Sequence, residues 1–208
     1  MGLVETPRLA ALRRRPKQPH EASFFFFDHA FNVEACKVLP GEYFVFNEDL
    51  VIQTVLGSCV AACIADRGIG VGGMNHFLLP DGDDSSARYG VNAMEMLINE
   101  LLKRGARRGS LEAKVFGGAA VIQGMTHLNV GRQNVEFVEH FLNDERIPIV
   151  SKDVLDVNPR KVCYFPKSAK AMVKKLAPTN ASAVVSEESR YKSSIKGTTS
   201  RGGSVDLF

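Results

Sequence analysis

The sequence predicts an α+β fold: an α/β layered sandwich of mixed, largely antiparallel sheets with two main amphipathic helices. Three observations carry this prediction. Short apolar runs of strand length recur between residues 41 and 79, separated by Asn, Asp and Gly turns. Two later stretches place apolar residues at helical spacing instead. The order of these runs lacks the regular strand-helix-strand beat of a parallel, doubly wound sheet. With 208 residues, 45% of them hydrophobic, the chain is long enough for one sizeable core. That core is expected within residues 23–178. Residues 1–22, basic and without period, are expected to be disordered, and residues 179–208 to form a flexible polar tail.

The elements follow in order. In EYFVFNEDLVIQTVL, Tyr43 and Val45, then Leu50, Ile52 and Val55, suggest two short strands with a turn at Asn47-Glu48-Asp49. Cys59–Ala65 and Val71–Leu79 read as a hairpin, reversed by Asp66-Arg67-Gly68-Ile69-Gly70. Met94, Leu97, Ile98, Leu101 and Leu102 define a helix that Gly105 stops. Leu111–Ala120 reads as a strand entering a turn at Gly117-Gly118, which lacks the Lys-Ser/Thr of a phosphate loop. Val135, Val138, Phe141 and Leu142 mark the second helix. Ile147–Val150, Lys161–Phe165 and Ala171–Leu176 complete the strands.

Composition narrows the function classes. The net charge of +3 is small, and much of it sits in Arg13–Lys17 and the last twenty residues, which argues against a nucleic-acid partner. No apolar run approaches the roughly 18 residues of a membrane span. The triplet Arg13-Arg14-Arg15 is followed by Pro16-Lys17-Gln18-Pro19 rather than an apolar region, so no export signal is expected. Cys36, Cys59, Cys63 and Cys163 lack the density of a disulfide framework. A cytoplasmic protein is expected.

Chemistry concentrates in TVLGSCVAACIADRGIGVGGMNHFLLP. If the hairpin reverses between Arg67 and Gly68, Cys59 lies opposite His76, on one face of the sheet and within reach of a thiol–imidazole hydrogen bond. A one-residue bulge would break the pairing. A thiol is only slightly ionised at neutral pH, so a neighbouring histidine is what makes it a nucleophile. Thr54 is the expected third group orienting the imidazole, with Gln53 on the opposite strand face as its rival and Ser58 a weaker choice. Gly57 lets the backbone turn so that amides around Ser58 and Cys59 can point at an oxyanion. Composition alone reads His76 equally as a core histidine, and Cys36, Cys63 and Cys163 as small buried hydrophobes. Cys59, Cys63 and His76 match no compact zinc spacing, so neither metal nor other cofactor is expected.

LPGEYFVFNEDLVIQTVLGSCVAACIAD and GVGGMNHFLLP, with RYGVNAMEMLINELLKRGA, AKVFGGA, NVGRQNV and PRKVCYFPKSAKAMVKKL in the same order, resemble the CheD family of chemoreceptor glutamine deamidases. The resemblance spans Leu39 to Leu176, and SVDLF at the end is similar to some members. Gln133 and Ser168-Ala169 depart from it. It implies a fold related to bacterial toxin deamidases and a protein-glutamine glutaminase acting on methyl-accepting chemotaxis receptors. By motif it carries the nucleophile to Cys59, the acid/base to His76 and the threonine to Thr54, with Gln53 the alternative. It also implies association with a CheC-type phosphatase, and hence an alternative in which the chain is a non-catalytic adaptor. Acyl transfer to an amine would use the same residues.

Overall fold

The computed structural model describes residues 5–79, 84–120, 130–177, 186–191 and 193. In chain order the elements are α1 (Pro7–Arg14), β1 (Phe24–Asp28), β2 (Val33–Lys37), β3 (Tyr43–Phe46), β4 (Val51–Leu56), β5 (Val60–Asp66) and β6 (Val71–Asn75). They continue with α2 (Asp84–Lys103), β7 (Leu111–Gly117), α3 (Val130–Asp144), β8 (Ile149–Val154), β9 (Arg160–Phe165) and β10 (Lys170–Lys175). A last short helix, α4, covers residues 186–191.

The strands form two five-stranded sheets, ordered β1-β2-β4-β9-β10 and β3-β6-β5-β7-β8. Every neighbour pair is antiparallel except β2/β4 and β7/β8. The sheets are therefore mixed, and the fold is α+β.

Strand alternation builds two main cores, with a smaller cluster of Ala35, Val51 and Cys163 on the outer face of the first sheet. From β5, Ala61, Cys63 and Ala65 join Phe44, Met74, Ile52, Leu56, Val162 and Tyr164 in a core shared by the two sheets. From the other face of β5, Val60, Ala62 and Ile64 meet Met94, Leu97, Ile98 and Leu101 of α2 and Val135, Val138 and Leu142 of α3. The layers are thus sheet, sheet and helices. β5 is buried along its whole length because it sits in the middle layer.

The hairpin differs from its expected register. The reversal takes four residues, Arg67 to Gly70, and closes on the pair Asp66 and Val71. Val60 consequently bridges Phe77, and Cys63 pairs with Met74. His76 therefore stands two positions from the residue opposite Cys59. Side chains repeat every two residues along a strand, so a two-residue offset keeps both on one face as diagonal neighbours.

The basic N-terminal segment also differs from expectation. Thr6 caps α1 by accepting from the Leu9 amide, and Pro7 takes a first-turn position where its missing N–H costs nothing. Leu9 and Leu12 then enter the core between the sheets. Arg13 donates to the Phe25 carbonyl, and Arg15 lies over the rings of Phe25 and Phe44. What reads as a solvated charge run is the outer side of a docked helix. β1 and β2 likewise go beyond the sequence expectation; the Phe24–Phe27 quartet alternates, with Phe25 inward and Phe24 exposed. Residues 179–185 and 194–208 of the expected tail lie outside the described residues, and residues 186–191 are helical.

Leu9→Ala should destabilise the domain by about 2–4 kcal/mol in urea unfolding, the cost of truncating a fully buried leucine; an unchanged midpoint would mean that α1 does not belong to the folded unit.

Candidate active site

The site begins at the turn between β4 and β5. Leu56 is the last residue of β4 and Val60 the first of β5, leaving Gly57-Ser58-Cys59 to cross from one sheet to the other. This crossing is clamped by main chain. The Cys59 carbonyl accepts from the Gly118 amide at 2.7 Å, and the Gly57 carbonyl from the Ala119 amide at 2.7 Å. Gly117 approaches so closely that a Cβ there would fall 2.1 Å from the Cys59 carbonyl oxygen, and its φ of +112° also favours glycine. The Gly117-Gly118 turn is thus a rest for the Cys59 backbone.

Asn134 of α3 fixes the same turn from the other side. Its amide donates to the Ser58 carbonyl at 2.9 Å and its oxygen accepts from the Leu79 amide at 2.9 Å. One buried side chain so ties the Cys59 turn to the segment that follows His76. Asn75 opens the ladder beside His76. Its oxygen, rather than its main-chain carbonyl, takes the Ala62 amide at 2.9 Å, and its nitrogen donates to the Ala93 carbonyl in α2.

His76 leaves β6 pointing into the space between the sheets. There Thr54, projecting from β4 in the other sheet, places Oγ1 2.8 Å from His76 Nδ1. Thr54 also donates its hydroxyl proton to the Val38 carbonyl at 2.8 Å. A carbonyl only accepts, so Thr54 has only lone pairs left for the imidazole, and Nδ1 must carry the hydrogen. Nε2 is then the basic nitrogen, and it is buried without a hydrogen-bond partner among the described residues. Burial pushes His76 down to about 4, against the opposing effect of the Val38 carbonyl, so the imidazole is neutral at pH 7. Gln53 points to the outer face of its sheet and donates to Asp28. Of the two sequence candidates, only Thr54 bonds to His76.

Cys59 and His76 face the same inter-sheet space, and both are closed off: Cys59 is 0% exposed and His76 3%. Tyr89 of α2 stands near Cys59, its phenol pushed up to about 12 first by burial and then by Cys59. Over the Cys59 turn lies α4. Glu188 Oε1 accepts from the amides of Gly57 at 3.2 Å and Cys59 at 3.0 Å, and its Oε2 accepts the Ser58 hydroxyl at 2.7 Å. The amides expected to face an oxyanion are therefore aimed at a carboxylate.

The remaining cysteines stand apart. Burial pushes the thiols of Cys36, Cys63 and Cys163 up, which keeps them protonated. Among the described residues no cluster of three or more His, Cys, Asp or Glu side chains is placed to hold a metal ion, and no helix is long and apolar enough to cross a membrane. Asp81 to Arg88 reads in the sequence as a polar loop that could wall the substrate groove; residues 81–83 lie outside the described residues, and from Asp84 onward the chain is already the first turns of α2. Asn134, Tyr89 and Glu188 escaped sequence reasoning. Each comes from an element distant in the chain, and only the helical spacing of Asn134 beside Val135 and Val138 hinted at its inward face.

Comparison with known proteins bears on the family of the chain. Residues 78–175 match the family described as CheD chemotactic sensory transduction, a span that begins just after His76. A protein of Albidiferax ferrireducens named probable chemoreceptor glutamine deamidase CheD 1 is 57% identical over 97% of this chain and 87% of its own length. The similarly named protein of Dechloromonas aromatica is 54% identical, and that of Janthinobacterium sp. 52%, each over 91% of this chain and 96% of its own. Among solved structures, the hypothetical protein YfiH of Bacillus licheniformis overlaps 55% of this chain and 49% of its own at TM-score 0.36 and 11% identity, too slight a likeness to bear on the fold. On the strength of the identity to these relatives over nearly the whole chain, this protein belongs to the CheD family.

Proposed function

We propose that the chain hydrolyses the side-chain carboxamide of glutamines on methyl-accepting chemotaxis receptors, giving glutamate and ammonia. The observation that carries this reading is a buried His76 whose Nε2 is left basic, on the same inter-sheet side as a Cys59 turn whose main-chain amides hold an oxygen-bearing side chain. The names of the relatives point to the substrate.

The geometry suggests the order of events. His76 is neutral at rest, so the Cys59 proton is transferred as the sulfur attacks, without a standing thiolate–imidazolium pair. The sulfur adds to the glutamine Cδ, and the amides of Gly57 and Cys59 stabilise the tetrahedral oxyanion. His76 then protonates the departing ammonia, leaving a thioester. Water, deprotonated by the same Nε2, releases glutamate and restores the thiol. Thr54 holds the imidazole through Nδ1, which leaves Nε2 as the nitrogen to exchange protons in both half-reactions. The receptor gains a negative charge at each converted position, which changes repulsion between neighbouring helices.

Cys59→Ala should abolish conversion of glutamine to glutamate on purified receptor cytoplasmic fragments, read by peptide mass spectrometry; activity that survives would remove Cys59 from the chemistry. Thr54→Val should lower kcat by about 100-fold, because it leaves Nδ1–H unsupported at the point where general base catalysis depends on it. Thr54→Ser should restore most of the loss. Equal loss in both variants would make Thr54 a packing residue only.

A further inference from the structure

Under the deamidase reading, the described state cannot turn over. Cys59 is 0% exposed, and the amides that would hold an oxyanion are already engaged. What engages them is a glutamate on a helix, which is the product the reaction leaves on its substrate.

The fit is chemical as well as geometric. Oε1 of Glu188 takes two main-chain N–H groups, as the carbonyl oxygen of a carboxamide would. Oε2 takes the proton of Ser58 Oγ. A hydroxyl can turn and accept instead, so the same serine would receive the NH2 of a glutamine. The notch therefore suits both the acid and the amide. α4 is seated beside it by Tyr191, which packs where a Cβ on Gly41 would lie and tilts against Tyr89 at 6.4 Å between ring centroids. Tyr191 also packs against the core between the sheets, whereas the ion pair of Lys37 and Glu187 at 3.5 Å joins two exposed side chains and adds little.

We propose that Glu188 is an intramolecular product mimic: the chain's own C-terminal helix holds a glutamate where a substrate glutamine binds, and so competes with receptor helices for the active site. This rests on the deamidase reading of Cys59. It also makes α4 a guide to the substrate pose, a glutamine presented from an exposed helical turn.

The test is the full chain carrying Glu188→Gln, incubated together with receptor cytoplasmic fragments, with position 188 and the receptor peptides both read by mass spectrometry. In this variant the competitor becomes a substrate. A bond forms from Cys59 Sγ to Cδ of residue 188, the C–N bond breaks, and ammonia leaves with the proton that His76 took from the thiol. Water then cleaves the thioester. The introduced glutamine should be recovered as glutamate, and should persist in the Cys59→Ala, Glu188→Gln double variant. Separately, Glu188→Ala should lower KM for receptor fragments by about tenfold with kcat unchanged, the factor that loss of a charge-assisted hydrogen bond supports. An introduced glutamine that persists beside an intact Cys59, or an unchanged KM in Glu188→Ala, overturns the inference. Receptor conversion in the same tubes separates the two readings. Converted receptor with a persistent glutamine at position 188 removes only the role of Glu188, whereas conversion at position 188 with untouched receptor removes the receptor substrate and keeps the mimic.

Discussion

The hydrogen bond between Thr54 and His76 is the constraint on which the site depends, because it joins the two sheets directly from side chain to side chain. Thr54 belongs to β4 and His76 follows β6, in the other sheet. The bond is directional: Val38 consumes the threonine proton, so the imidazole must give its own, and its remaining nitrogen is left basic. An inward position on one strand thus decides the protonation of a residue on another. Burial reinforces the outcome by disfavouring the imidazolium.

Around that bond, the site is built mostly from main chain. The Gly57–Cys59 crossing is held by Gly118, Ala119 and Asn134, leaving the amides of Gly57 and Cys59 for an external acceptor. Main-chain donors cost little reorganisation when charge develops, which suits them to an oxyanion. The same property makes them a good seat for a carboxylate, and Glu188 occupies it. Catalysis and its suppression would then use one set of donors.

Some of this architecture is legible in the sequence. Helical spacing locates the apolar faces of α2 and α3, and short apolar runs bounded by turn residues identify β5, β6 and β9, because these elements have clear stops. The Cys59–His76 pairing follows in the sequence from a two-residue turn, whereas the chain uses four; the difference preserves the face because it is an even number of residues. Thr54 and Gln53 cannot be separated from sequence, since adjacent residues point to opposite faces and only the sheet-on-sheet packing says which face is inward. α1 escapes a sequence reading because its arginines line the outside of a helix whose two buried leucines are too few to set a period. Glu188 carries no local signal at all. Its role depends on a contact with residues about 130 positions earlier in the chain, and charge in a polar tail ordinarily means solvation.

The most direct measurement is nitrogen-15 NMR of the His76 imidazole across a pH titration. The Thr54 bond and the burial of the ring require a neutral imidazole at pH 7 with its hydrogen on Nδ1, remaining so on acidification until about pH 4. A hydrogen on Nε2, or an imidazolium at neutral pH, would contradict it, since the nitrogen assigned to the Cys59 proton would already be occupied.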